Sequence, residues 1–125
     1  MKMLRVYCLI QNIYLMKENR LEFDVILDKD KNPVKIVMNS SDQQAVDVSL
    51  KSLFISAFDQ KKNNTLTLDL WTKDMLVNEM YVMFHQTLLS MSDTLERSTG
   101  HDKLSGALKD YCAFFAEQTE IIKKK

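Results

Sequence analysis

The sequence predicts an α+β fold: a four-stranded antiparallel β-sheet followed by two C-terminal α-helices, in the order ββββαα. Three observations carry this. Between Thr65 and Met80 the apolar period switches. Leu66, Leu68 and Leu70 alternate with Thr65, Thr67, Asp69 and Trp71, and from Val77 onward apolar residues recur at steps of three and four. Upstream of this switch the apolar runs are short, and polar turns separate them. Finally, 46% of the 125 residues are hydrophobic, with one Pro and two Gly. That composition fits a single ordered domain able to bury roughly two thirds of the surface of its unfolded chain.

Residues 1–15 combine a basic start with a short apolar run, Val6 to Ile10, broken by Gln11 and Asn12. No small-residue cleavage site follows, and Arg5-Val6-Tyr7 before Cys8 is unlike a lipoprotein acceptor site. We read these residues as an N-terminal extension ahead of a start at Met16, with an extra edge strand or helix as the alternative. Residues 16–125 are then the α+β domain. Its strands are expected at about 20–28, 33–39, 48–58 and 64–72, and its helices at about 77–98 and 102–123.

Leu21, Phe23, Val25 and Leu27 alternate with Glu22, Asp24 and Ile26 to give the first strand. Asp28 to Pro33 is a turn, because Asp and Asn tolerate tight backbone geometry and Pro fixes its φ. Val34, Ile36 and Met38 form the buried side of the second strand. The polar run Asn39 to Gln44 has no apolar anchor and reads as the most mobile internal segment. In the third strand Phe54 and Phe58 share one face and Leu53, Ile55 and Ala57 the other, the pattern of an interior strand covered on both sides. Asp59 to Asn64 turns the chain into the fourth. A sheet of this size needs a cover for its apolar face, and the helices are the available one.

The first helix carries the stripe Val77, Met80, Phe84, Leu88, Met91 and Leu95. Asn78 is its expected N-cap, Glu79 suits its dipole, and Gly100 stops it. Asp102 is the expected cap of the second helix, whose stripe is Leu104, Leu108, Tyr111, Phe115 and Ile122, flanked by Ala107, Phe114 and Ile121. Lys123 to Lys125 suit its carboxyl end. Tyr81, Val82, Met83 and Leu89 fall outside the first stripe. This spare apolar surface implies either a dimer or protein partner, or a fully buried helix.

Seventeen basic and seventeen acidic residues cancel, so no general field recruits nucleic acid or an anionic membrane. No apolar run reaches the roughly 18 residues of a membrane span. Cys8 and Cys112 form neither a disulfide framework nor a zinc pattern, which fits reduced thiols in the cytoplasm. The eight methionines suit either core gap-filling or an adaptable binding face.

Chemistry is sparse. With only Gly100 and Gly106 there is no glycine-rich phosphate loop. His85 and His101 lack ligands at metal spacing; His85 reads as packed or surface, and His101 as solvated. Cys112 reads as a buried structural thiol, and a Cys112–His85 nucleophile pair is the one enzymatic arrangement available. We therefore expect no catalytic residues, no cofactor and no metal. The cluster of Asp69, Trp71, Lys73 and Asp74 is either a charged, capped corner or a contact patch anchored by Trp71, since Trp is enriched at binding hot spots.

The run Leu68-Asp-Leu-Trp-Thr-Lys-Asp-Met75 resembles the signature of the GldC family, associated with gliding motility in Bacteroidetes bacteria. The resemblance continues through Asp28–Ile36 with Asn32-Pro33-Val34, Phe84-His-Gln-Thr-Leu88, Met91-Ser-Asp-Thr94, Leu108-Lys-Asp-Tyr-Cys112 and Phe115-Ala-Glu117. It spans about residues 17–123. The family pattern has Pro where this chain has Leu76, which loosens the strand-to-helix corner or lets the helix begin a turn earlier. The resemblance implies a non-enzymatic cytoplasmic accessory protein of gliding motility, with no catalytic residues to carry over. The element order is also similar to that of the export chaperone SecB, without a sequence match. The alternative function is thus a SecB-like chaperone or assembly factor for exported motility or secretion proteins. Expected partners are a protein of the gliding or secretion apparatus and further copies of the chain, with neither nucleic acid nor membrane insertion. Trp71, Lys73, Asp74, Tyr81 and Met83 are the candidate partner-binding residues.

Overall fold

The computed structural model describes residues 17–121. The expectations for residues 1–15, Met16, Cys8, Ile122 and the terminal lysines lie outside them. Contacts divide the chain after Asp74 into a strand unit and a helical unit.

Among the described residues, the strand unit contains β1 (Leu21–Leu27), β2 (Pro33–Ser40), β3 (Val48–Leu50), β4 (Ser52–Asp59) and β5 (Asn64–Trp71). Every pairing is antiparallel. The strands nevertheless form two sheets, β1-β2-β3 and β4-β5, rather than the single four-stranded sheet expected. The expected third strand is divided at Lys51. Before this residue, Val48–Leu50 pair with β2. At it, the Lys51 carbonyl accepts from the Thr72 N–H (2.8 Å) and from Thr72 Oγ1 (3.3 Å), so the chain beyond pairs with β5. A strand that changes sheets at a bend is how two sheets turn a corner. Apolar alternation reports a strand's faces but not which neighbour it pairs with, so the bend has no hydrophobic signature.

Within β1 and β2, Phe23 and Val25 are half-buried opposite Met38 and Ile36. Ile36 is wholly buried, whereas Leu21 and Leu27 are exposed. The two-sided cover expected for the third strand holds for residues 52–55, which are half-buried. Residues 56–58 are exposed. The segment after β2, expected to be unanchored, is tied to a buried hydroxyl. Ser40 Oγ donates to Asp42 Oδ1 (2.6 Å) and accepts from the Ala45 N–H (2.9 Å), and Asp42 also accepts from the Gln44 N–H (3.0 Å). Polar side chains bonding to nearby backbone can organise a loop without apolar anchors.

The helical unit is a hairpin of α1 (Val77–Thr99) and α2 (Asp102–Thr119). Gly100 ends α1 in the left-handed region (φ 72°), its N–H donating to Glu96 O (2.8 Å). Both expected N-caps move by one or two residues. Leu76, not Asn78, is the N-cap of α1, and Glu79 Oε1 accepts from its N–H (2.9 Å). The helix thus starts at Val77 and does not gain a turn. His101, not Asp102, caps α2, with Nδ1 accepting from the Leu104 N–H (3.2 Å). The exposed histidine, expected merely to be solvated, has this local duty.

The expected apolar stripes are not what the helices bury. The buried residues are Ser92 on α1 and Ser105, Cys112 and Ala116 on α2. Small side chains permit close approach of the two helices. Ser92 donates to Leu89 O within its own helix, and Ser105 donates to Asp102 O in α2 and to Glu96 Oε1 of α1. At 100° per residue both stripes fall on the same flank of this seam in an antiparallel pair. Phe84 stacks on Phe115 across that flank (centroids 6.4 Å), while Val77, Met91, Leu104 and Tyr111 are exposed.

Candidate functional site

A cleft of about 240 Å³ in the strand unit is lined by Asn32, Pro33, Asp69, Leu70, Trp71 and Lys73. Two local structures build it. One is the β1–β2 turn, where Asp28 accepts from the N–H groups of Asp30 (2.9 Å) and Asn32 (3.0 Å) through Oδ1, and Lys31 adopts φ 65°. The other is the end of β5, where the Lys73 N–H donates to Pro33 O (3.1 Å). Lys73 Nζ then reaches Asp28 Oδ2 at 2.9 Å, clamping turn to strand end. The bonds from Asn32, then those from Lys73, hold the Asp28 carboxyl below the usual carboxylate range.

Trp71 pairs with Ser52 in the ladder and is 51% exposed. Lys73 lines the same cleft. Asp74 is not part of its lining: Thr72 Oγ1 donates to the Asp74 carboxylate, which lies below the usual range mainly for that reason, with Lys51 adding a Coulombic pull. Of the five candidate residues, Trp71 and Lys73 therefore share the cleft, and Asp74 belongs to the buried Thr72 beneath the corner.

Tyr81 and Met83 lie in the helical unit. Tyr81 meets the Phe115 ring edge-on (centroids 6.1 Å, 83°), within a group that includes Phe84, His85, Tyr111 and Phe114. Met83 is half-buried. The roles of Asp28 and His101 escaped the sequence reading. Asp28 was visible only as a turn residue, and nothing in its spacing points 45 residues ahead to Lys73.

The enzymatic arrangement has little support. Cys112 is buried within the hairpin seam, and burial pushes its thiol up, the reverse of what a nucleophile needs. His85 packs its ring near Phe115 (centroids 6.4 Å). Among the described residues, no group of three or more His, Cys, Asp or Glu side chains could hold a metal ion. No described helix is long and apolar enough to cross a membrane.

Antiparallel strands followed by a helical hairpin define a small α+β protein. The family model for gliding motility-associated protein GldC-like matches residues 33–121, and the chain belongs to that family. The match includes Trp71, Lys73 and both helices. No curated protein and no solved structure gives a significant match.

Proposed function

We propose that the chain is a non-enzymatic accessory protein of gliding motility that works in the cytoplasm by binding a protein of the gliding or secretion apparatus. The observation that carries this reading is Trp71. It is a large aromatic, half open to solvent, on the wall of a cleft whose other walls are fixed by the Lys73–Asp28 pair and the Lys73–Pro33 bond. A preformed aromatic anchor beside a charged rim is the usual make-up of a binding hot spot. Family membership supplies the motility context.

The test is paired. Trp71→Ala and the unsubstituted chain are compared for capture of gliding components and for rescue of motility in a strain lacking the protein. Losing a buried hot-spot aromatic typically costs 2 kcal/mol or more of binding, about thirtyfold in affinity. Unchanged capture and full rescue by Trp71→Ala would sink the reading. A chaperone-like role is the second reading, supported by the exposed side chains of Leu66, Leu68, Phe84, Met91 and Tyr111. It predicts suppression of aggregation of an unfolded model protein at near-equal molar ratio, and is abandoned if none is seen.

A further inference from the structure

The outer edge of β5 is built to accept another strand. Thr72 donates its N–H to Lys51 O, so in the β4–β5 register the even-numbered residues of β5 bond to β4. Antiparallel alternation then directs the N–H and C=O groups of Thr65, Thr67, Asp69 and Trp71 to the opposite side. Lys73, next in that series, bears this out: its N–H points outward and is taken by Pro33 O. Among the described residues, Thr65, Thr67, Asp69 and Trp71 have no such backbone partner.

Natural edges are guarded by charge, proline or bulges. The β1 edge has such guards in Glu22, Asp24 and a register break between Ile26 and Leu27. The β5 sequence NTLTLDLW has no proline and a single charge, Asp69, and its register with β4 is regular throughout. Leu66 and Leu68 on it are exposed.

We propose that the occupant of this edge is a second copy of the same strand. Two copies would join antiparallel through residues 65–71 about a two-fold axis at Leu68, giving a continuous sheet β4-β5-β5′-β4′. Three features favour a copy over an unrelated peptide. Every outward-bonding residue meets another: Thr65 pairs with Trp71 of the second copy, and Thr67 with its Asp69, so no carboxylate faces a carboxylate. Leu66 meets the second copy's Leu70, and Leu68 meets its own equivalent, joining two apolar faces into one. The lengths also match. Pro33 closes the free edge just beyond Trp71, and the incoming strand must end there; β5 begins at Asn64, directly before the residue that sits opposite Trp71.

The test uses the full chain and three measurements. Sedimentation velocity over a concentration series should show twice the chain mass at the upper end. Thr67→Pro deletes an outward N–H while sparing the bonds to β4, and should give a folded monomer by far-UV circular dichroism. Leu68→Cys, in a Cys8→Ser background, should form an interchain disulfide under mild oxidation, because non-hydrogen-bonded antiparallel pairs bring Cα atoms to about 4.5 Å, within disulfide reach. If Thr67→Pro does not fold, the Leu68→Cys cross-link decides alone. A chain that stays monomeric at every concentration overturns the proposal. So does a dimer that leaves Leu68→Cys uncross-linked, or a monomer whose β5 edge is filled by another protein's extended segment.

Discussion

The two units bury their interiors by opposite means. Among its described residues, the strand unit buries one large side chain, Ile36, and two hydroxyls, Ser40 and Thr72, that hold loops and strand ends in place. The helical unit buries a row of small side chains, Ser92, Ser105, Cys112 and Ala116, and leaves its aromatic and aliphatic bulk on one flank. Among the described residues of the first unit, stability rests on one apolar anchor and a set of specific hydrogen bonds. In the second it rests on how closely two backbones approach. Substitutions of similar size should therefore act differently in the two.

The largest expected effect lies at Ile36. It pairs with Val25 on one side and Leu50 on the other, and among the described residues of the strand unit no comparable side chain is as buried. Ile36→Ala should lower stability by about 2–5 kcal/mol, read from the urea midpoint at unchanged slope. A loss near zero would mean that the hydroxyl-centred bonds alone carry the strand unit.

The helical seam should respond to added rather than removed volume. Ala116→Leu puts three extra carbons where the helices meet and should cost about 1–3 kcal/mol. Met91→Ser, on the flank and 55% exposed, should change stability by only about 0.5 kcal/mol. Thermal unfolding of both variants checks this. If Met91→Ser proves the more damaging, the flank rather than the seam is the core of the hairpin.

This contrast also explains which parts of the fold could be read from the sequence. The alternation in 21–27 and 64–71 and the 3.6-residue period after Val77 are direct consequences of side-chain geometry, and elements stand at those periods, although α2 ends at Thr119 rather than near residue 123. The antiparallel pairing and the Gly100 stop were legible for the same reason. The break at Lys51 was not, because it depends on a carbonyl captured by Thr72, a residue 21 positions away. The helical seam was hidden by the assumption that the most apolar face is the most buried. Helices meet where side chains are small enough, and Ser92 and Ser105 score as polar in any hydrophobic pattern. At the cleft, Trp71 and Lys73 stood out in the sequence as a polar, aromatic run. Their partner Asp28 did not, since an ion pair across 45 residues leaves no periodic trace.

The smallest effects should appear on acidification, and mainly in the strand unit. Asp28, Asp42 and Asp74 all belong to it, and each is held below its ordinary value by hydrogen bonds to the ionised form. For Asp42 the first of these comes from Ser40 Oγ and the second from the Gln44 N–H. A depressed carboxyl binds its proton less readily when folded than when unfolded. Its contribution is therefore complete above the ordinary carboxylate range and is lost as pH falls through that range toward the lower folded value. Asp42→Asn keeps the size of the side chain but cannot gain stability from ionisation. The variant should be less stable than the parent at neutral pH, and the gap should close on acidification. Paired urea titrations at neutral and acidic pH, followed by far-UV circular dichroism, measure that gap. If it stays constant with pH, the buried Ser40 hydroxyl organises the loop through hydrogen-bond geometry alone, and the charge of Asp42 contributes nothing to holding residues 40–45 together.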